Sequence, residues 1–328
     1  PSEPGFGSGS SHLRECYRIR TLGSSEPLLK RRALVMGFAV GASNGRWSVT
    51  LQGVSSLNNQ SEVVIRLACF FFVLLAMVVW ELLAPRRELS LKRRWRWSSN
   101  FGLVILNGIL VRFLMPITAV GAALLAQSSG YGFLNFVDWP TWLEIILGVV
   151  AFDLAIYGQH LLFHKVPWLW RLHMVHHADM DFDVTTGLRF HTFEILISVL
   201  IKLAVVFVLG PAAIAVAIFE ILLNATSMFN HSNISIPLWL DKTLRFVVVT
   251  PDMHRVHHSV IRCETNSNYG FNLPWWDYLF RTYLSQPQDG HDQMTIGVSD
   301  YRDETQTERL PGMLQLPFRS SGKSKLKN

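Results

Sequence analysis

The sequence predicts an all-α integral membrane protein: about four or five transmembrane helices, the last two a helical hairpin, with a cytosolic helical cap that carries a histidine-rich di-metal site. Three observations carry that prediction. Hydrophobic residues make up 49% of the 328 positions and charged residues only 16%, against roughly a quarter charged in a soluble protein. Several apolar runs reach the ~20 residues that a helix needs to cross about 30 Å of hydrocarbon. Ten of the twelve histidines fall between His160 and His258, where even spreading would place about four. The composition also excludes other classes. With 21 Phe and 11 Trp to bury, the chain is not disordered. Three scattered cysteines, Cys16, Cys69 and Cys263, exclude a disulfide framework.

Taken in order, the chain opens with a Ser-, Gly- and Arg-rich stretch expected to be poorly ordered, and the apolar run at 33–42 is only half a span. Residues 63–84 form the first expected span, with Arg66 near its start. Residues 101–126 form the second, with Arg112 and Pro116 inside it. Residues 142–163 form the third, with Asp153 near its middle. Residues 193–209 and 212–229 are separated by Gly210 and Pro211, which read as the tight turn of a hairpin. The expected organisation is therefore a poorly ordered region at 1–60, a first transmembrane pair at 61–127, a histidine-rich catalytic domain with further membrane segments at 128–284, and a cytosolic C-terminal tail at 285–328. Lys323, Lys325 and Lys327 give that tail a solvated basic end.

Orientation follows from the Lys/Arg bias of short loops. Arg86, Arg87, Lys92, Arg93, Arg94 and Arg96 lie between the first two spans and mark the cytoplasmic side. Beside two spans, such a loop is a topology signal rather than a nucleic-acid site. Residues 127–140 contain no Lys or Arg and belong to the opposite side. The third span then returns near His164, and the hairpin leaves everything from His231 onward on the cytoplasmic face. Residues 164–192 and 230–328 thus share one side of the membrane, either the bacterial inner membrane or the endoplasmic reticulum. Trp95, Trp97, Trp139, Trp142, Trp168, Trp170, Trp239, Trp275 and Trp276 flank the spans and read as interfacial anchors.

The histidine pattern says more than the count. His160 and His164 are four residues apart. His173, His176 and His177 form an HxxHH, and His254, His257 and His258 form another. Residues three and four apart share a helix face, so each cluster is expected to project its imidazoles in one direction. From Trp142 to His160 is about 27 Å of helix, which puts His160 at the cytoplasmic edge of its span. Eight imidazoles are too many for one ion and suit two, and neutral imidazole suits iron, zinc or copper. His231, ending the hairpin on the same face, is a ninth candidate ligand. His191 is a tenth, with a supporting or structural role as the alternative. No HExxH is present, which argues against a zinc protease, and no cysteines interleave with the histidines as in a zinc finger. Metal-bound imidazoles donate their second N–H to carboxylates or carbonyls. Asp153, Asp181, Asp183, Glu194 and Asp252 are near enough in sequence to accept. Asp153 lies about 16 Å into a span and needs a partner, for which Tyr157 one turn later is the candidate.

The ordered motifs resemble those of the fatty acid hydroxylase and sterol desaturase superfamily of membrane di-iron enzymes. The likeness runs over roughly residues 60–318. It is carried by Asp153, Tyr157, His160 and His164; by Arg171, His173, His176 and His177; by Arg189, His191 and Glu194; by Asn230, His231 and Asn233; by Thr250 through His258; by Asn268-Tyr269-Gly270; and by Trp276, Asp277, Phe280, Thr282 and Tyr283. The resemblance implies two iron ions, O2 as co-substrate, an external electron donor from a separate electron-transfer protein, and a lipid substrate hydroxylated or desaturated at a C–H bond. It also places Asn233 and Asn268 among the residues supporting the ligands. No nucleic acid is implied. The sequence departs from the family pattern at Leu161, where Arg commonly follows the first histidine, at Thr192, where Pro is common, and at Arg281, where Gly is common. The rival readings are a membrane metal or proton transporter, prompted by Asp153 and Glu220 within spans, and a bis-histidine haem carrier. Transport would want ionisable groups strung across the bilayer, and a haem needs fewer histidines.

Overall fold

Five apolar segments fold as helices long and apolar enough to cross a membrane, and together they make this a multi-pass membrane protein. A computed structural model describes residues 39–43, 46–50 and 59–319. The chain divides into two compact units, Pro1–Ser61 and Glu62–Asn328. Within the first, β1 (Ala39–Ser43) pairs antiparallel with β2 (Arg46–Thr50), the only sheet among the described residues. The expectations for residues 1–33 and for the lysines beyond residue 319 lie outside the described residues.

The second unit is helical. Helix α1 (Asn59–Leu83) turns Val63, Phe71, Phe72 and Leu75 outward, as a lipid-facing span requires. The second span differs from expectation. Helix α2 (Arg93–Leu114) starts eight residues earlier than residue 101 and ends before Pro116. Proline has no N–H and disfavours helical backbone at the residue before it; Met115 is extended, at φ −104° and ψ 108°. Thr118 then caps a separate helix, α3 (Ala119–Ser129), by accepting from the Gly121 N–H. At 22 residues α2 is about 33 Å long and spans on its own.

Helix α4 (Thr141–Lys165), α6 (Thr192–Leu209) and α7 (Ala213–Asn230) follow the expected limits closely. Gly210 takes φ +60° at the hairpin turn. Its neighbour Gly132, at φ +100°, comes so close that an added Cβ would lie 2.2 Å from the Gly210 nitrogen. Small residues let the helices approach: Ala119, Ala122 and Ala123 of α3 pack against Phe152, Ile156, Val206, Val216 and Phe219. Deep in the bundle Glu220 pairs with both Lys202 and Arg66 at 2.8 Å, joining α1, α6 and α7.

At the opposite end from Gly210, α5 (Pro167–His177), the loop 178–191, α8 (Leu238–Leu244), α9 (Pro251–His257) and short helices after it form the cap. The arginine-rich loop read as a topology signal is built into this cap. Asp181 accepts from the Ser90 and Leu91 N–H groups. Arg96, 1% exposed, forks onto Asp179 at 2.8 and 2.9 Å and reaches Asp183 at 2.7 Å. Arg189 pairs with Glu308 at 2.7 Å and also reaches the Thr307 carbonyl. The segment Leu310–Gln315 and the turn after it pack Met313 and Leu316 against Leu103, Met174 and Val175. Trp142, Trp168, Trp239 and Trp275 face outward, as anchors do. Three do not: Trp170 packs on His164 and His177, while Trp97 and Trp276 point inward and donate to Asp183 and Asp153.

Candidate metal centre

Four pieces of chain converge on one point of the cap. α4 presents His160 and His164 in its last turns. Val166 is extended and Pro167 opens α5, so the chain folds sharply back and carries His173, His176 and His177 over the end of α4. His231 is the residue that ends α7. Thr250 caps α9 by accepting from the Met253 N–H, and Pro251 takes the first helical position, which fixes where His254 and His257 emerge.

Nine imidazoles gather there in two groups, with the ligand atoms of each group within 4.8 Å of one another. One holds His160, His164, His173, His177 and His257; the other holds His176, His231, His254 and His258. Neither HxxHH points one way, contrary to expectation. His173 and His177 go to the first group and His176 to the second, while His254 and His258 go to the second and His257 to the first. At about 100° per residue, positions i and i+4 differ by only ~40°, whereas adjacent positions diverge widely. Each HH pair therefore straddles the two groups, and the pairs face each other: the His177 and His258 rings stack at 4.5 Å, and His176 lies 4.7 Å from His258.

Carbonyl contacts fix which nitrogen three of the rings offer. The Nδ1 of His160 faces the Tyr269 carbonyl at 2.9 Å, that of His257 the Ser267 carbonyl at 2.6 Å, and that of His231 the Ser227 carbonyl at 2.7 Å. A carbonyl only accepts, so Nδ1 carries the proton and Nε2 keeps its lone pair. Each of those Nε2 atoms nevertheless faces another imidazole nitrogen. His160 and His257 meet at 3.0 Å, and His231 lies 3.0 Å from the Nε2 of both His176 and His254. A second proton would make imidazolium, which burial opposes: it pushes His231 and His173 down to about 3, and His254, His257 and His258 well below the ordinary imidazole range. Two cis ligands about 2.1 Å from one ion lie roughly 3.0 Å apart, so a cation between these nitrogens resolves the contact. Buried nitrogens of His164, His173, His177 and His258 also find no hydrogen-bond partner among the described residues, the condition of atoms reserved for a metal. The residues fit one ion in each group.

Aromatic walls close the site. Trp170 covers His164 and His177 at 4.9 and 5.3 Å, Phe190 stacks on His176 at 4.5 Å, and Phe182 lies 5.1 Å from His258. Gly187 permits another close approach. A Cβ there would meet the Ser227 carbonyl at 2.4 Å, the same oxygen that orients His231.

His191, expected as a tenth ligand, lies in neither group. It caps α6, its ring accepting from the Phe193 N–H at 3.3 Å. Of the carboxylates proposed to support ligands, Glu194 lies against one of the gathered rings, 2.6 Å from the His173 Nδ1. Replacing Glu194 with Ala is expected to weaken metal binding by about 10–100-fold, read by chelator titration of the purified protein. The others serve elsewhere. Asp153 accepts from the Asn272 and Leu273 N–H groups and from Trp276, not from Tyr157, whose hydroxyl meets Thr282 at 2.9 Å. Asp183 holds Arg96 and Trp97. Asp252 pairs with Arg255 and Arg86. Asn233 bonds the Arg87 backbone, and Asn268 bonds the Met253 and Leu284 backbone. The carbonyls of Ser227, Ser267 and Tyr269 were missed because every residue owns one, so no side-chain signal marks them. Two departures from the family pattern also find their place. Arg281 sits at φ +58°, a conformation that favours glycine. Thr192 opens α6, where proline is readily accepted, and donates instead to Asn107.

The family model for fatty acid hydroxylase matches residues 145–282, the stretch that contains all nine gathered histidines. Over that stretch the chain is similar to the fatty acid hydroxylase family. Among proteins with curated descriptions, it is 30% identical over 196 residues to an ornithine lipid hydroxylase of Rhizobium tropici, covering 60% of this chain and 57% of that protein. It is 26% identical to the alkylglycerol monooxygenase of Xenopus tropicalis, covering 59% of this chain and 44% of the relative. It is 24% identical to the cholesterol 25-hydroxylase of Rattus norvegicus, covering 49% and 58%. The chain thus spans about half the length of the curated relatives it matches. No solved structure matches it.

Proposed function

We propose that this chain is an oxidoreductase of the membrane: an O2-dependent enzyme that hydroxylates or desaturates a C–H bond in a lipid, with an iron ion in each histidine group. The observation that carries this reading is the pair of Nε2 lone pairs of His160 and His257 facing each other at 3.0 Å while each Nδ1 is committed to a carbonyl, inside a gathering of nine buried imidazoles. Two such lone pairs repel unless a cation lies between them. The match to the fatty acid hydroxylase family model and the likeness to lipid hydroxylases and monooxygenases support iron over zinc or copper.

The groups that would hold iron are His160, His164, His173, His177 and His257 on one side, and His176, His231, His254 and His258 on the other. Bound there, iron supplies the redox chemistry by which O2 attacks an unactivated C–H bond, with two electrons from an external donor. The rest falls to the chain. Glu194 and the three carbonyls hold His173, His160, His257 and His231 in the tautomer that offers Nε2. Trp170, Phe182, Phe190 and Tyr269 exclude water from the oxidising site. The site lies at the ends of membrane helices α4 and α7, so a lipid tail can reach it without leaving apolar surroundings. By the arginine bias of the loop at 86–96, this end faces the cytoplasm.

A transporter would require titratable groups continuing along the helices. Here Asp153 and Glu220 are each fully engaged in local hydrogen bonds and ion pairs. The decisive experiment compares lipids from cells with and without the protein, alongside metal analysis of the purified chain. A lipid about sixteen mass units heavier or two lighter, with about two non-haem irons per chain, is the expected result. Unchanged lipids, or a haem absorption band, would end this reading.

A further inference from the structure

The two histidine groups are not supported alike. In the five-histidine group, three rings have an oxygen on Nδ1: Glu194 for His173, the Tyr269 carbonyl for His160 and the Ser267 carbonyl for His257. In the four-histidine group only His231 has one, from Ser227 within its own helix, and the Nδ1 atoms of His176, His254 and His258 are buried without a partner among the described residues. Two of the three supports of the first group come from one short loop, residues 267–270.

That loop has no regular structure to hold it. Between its two carbonyls, Asn268 takes φ +50°, a conformation that is costly for a residue with a side chain. Asp277 holds the loop in place. Fully buried, its carboxylate accepts from the Tyr269 N–H at 2.8 Å, from the Gly270 N–H at 2.7 Å and from the Thr282 hydroxyl at 2.6 Å. The fit leaves no slack: a Cβ on Gly270 would come 2.6 Å from the Asp277 oxygen.

We infer that Asp277 is a positioning residue for one of the two metals: by clamping the loop 267–270 it aims the Ser267 and Tyr269 carbonyls at His257 and His160, and so makes the five-histidine group the tighter, first-filled site and the four-histidine group the exchangeable one. Asp277 touches no ring of either group itself. This rests on the proposal that each group takes an iron. The reasoning is chemical: an oxygen on Nδ1 both fixes the ring and makes Nε2 a stronger donor, and losing such a partner typically weakens metal binding about 10–100-fold.

The test uses the full chain, purified in detergent and loaded anaerobically with ferrous iron, and follows iron retained as a chelator is added. The wild type is expected to release its iron in two steps. His254→Ala, in the four-histidine group, should remove the step at low chelator. Asp277→Asn, which keeps the shape but loses one acceptor, should move only the high-chelator step, by about 10–100-fold. Thr282→Val should move the same step by less, and Thr282→Ser, which keeps the hydroxyl, should restore it. Because the low-chelator step reports an intact fold, a general loss of structure would shift both steps together. That outcome, or an unmoved high-chelator step in Asp277→Asn, overturns the inference and leaves the enzyme reading standing. A wild-type chain that binds no iron overturns both.

Discussion

His257→Ala is expected to abolish product formation, a fall of more than about 100-fold, while the protein remains in the membrane and keeps about one of the two irons proposed for it. His257 is where the second HxxHH reaches across to the first group. Its Nε2 lies 3.0 Å from that of His160, and its ring lies 4.6 Å from those of both His164 and His177. No other residue of α9 enters that group, so its removal leaves no substitute nitrogen from this helix. The remaining members of the group come from α4 and α5, and the second group keeps all four of its histidines. Product measured in membranes, with iron counted in the purified variant, checks both halves. Full activity with both irons retained would overturn the ligand assignment.

Arg96→Met should destabilise the cap by about 3–5 kcal/mol, the usual cost of leaving a buried charge unpaired. Asp179 and Asp183 are wholly buried, and Arg96 is the cation they share. Burial alone would raise Asp179; Arg96 and then Arg189 overcome it and hold the carboxyl below its ordinary range. Removing the guanidinium leaves two carboxylates in a site water cannot enter. Arg96→Lys keeps the charge but not the fork of donors, and should fall between the two. Thermal unfolding in detergent would show the order wild type, Lys, Met. Equal stability of all three would mean that Arg189 alone neutralises the cluster.

How much of this was legible in the sequence depends on what each feature writes into side chains. The spans were, because hydrophobic length is a one-dimensional property; only the second was misjudged, where Pro116 broke what composition alone joined. The histidine clusters were legible as clusters, and their meeting at one end follows from the loop charges and the hairpin. Their division between two groups was not, although the rotation between adjacent helical positions contained it. Arg96 was read only for its charge. Its burial depends on Asp179, more than eighty positions away, and no local pattern links the two. Asp153 needed a partner, as its depth demanded, but found it in the backbone at Asn272 and Leu273 rather than one turn along its own helix.

The interleaving of α5 and α9 has a consequence for biosynthesis. Each histidine group draws on both helices, so a nascent chain halted after α7 would own at best four of the five nitrogens of one group and two of the four of the other. Neither cage can close until the last membrane segment has inserted and the chain beyond it has folded back. On the proposed function, metal acquisition would thereby fall at the end of maturation, and no oxidation could begin while the chain is still being threaded into the bilayer.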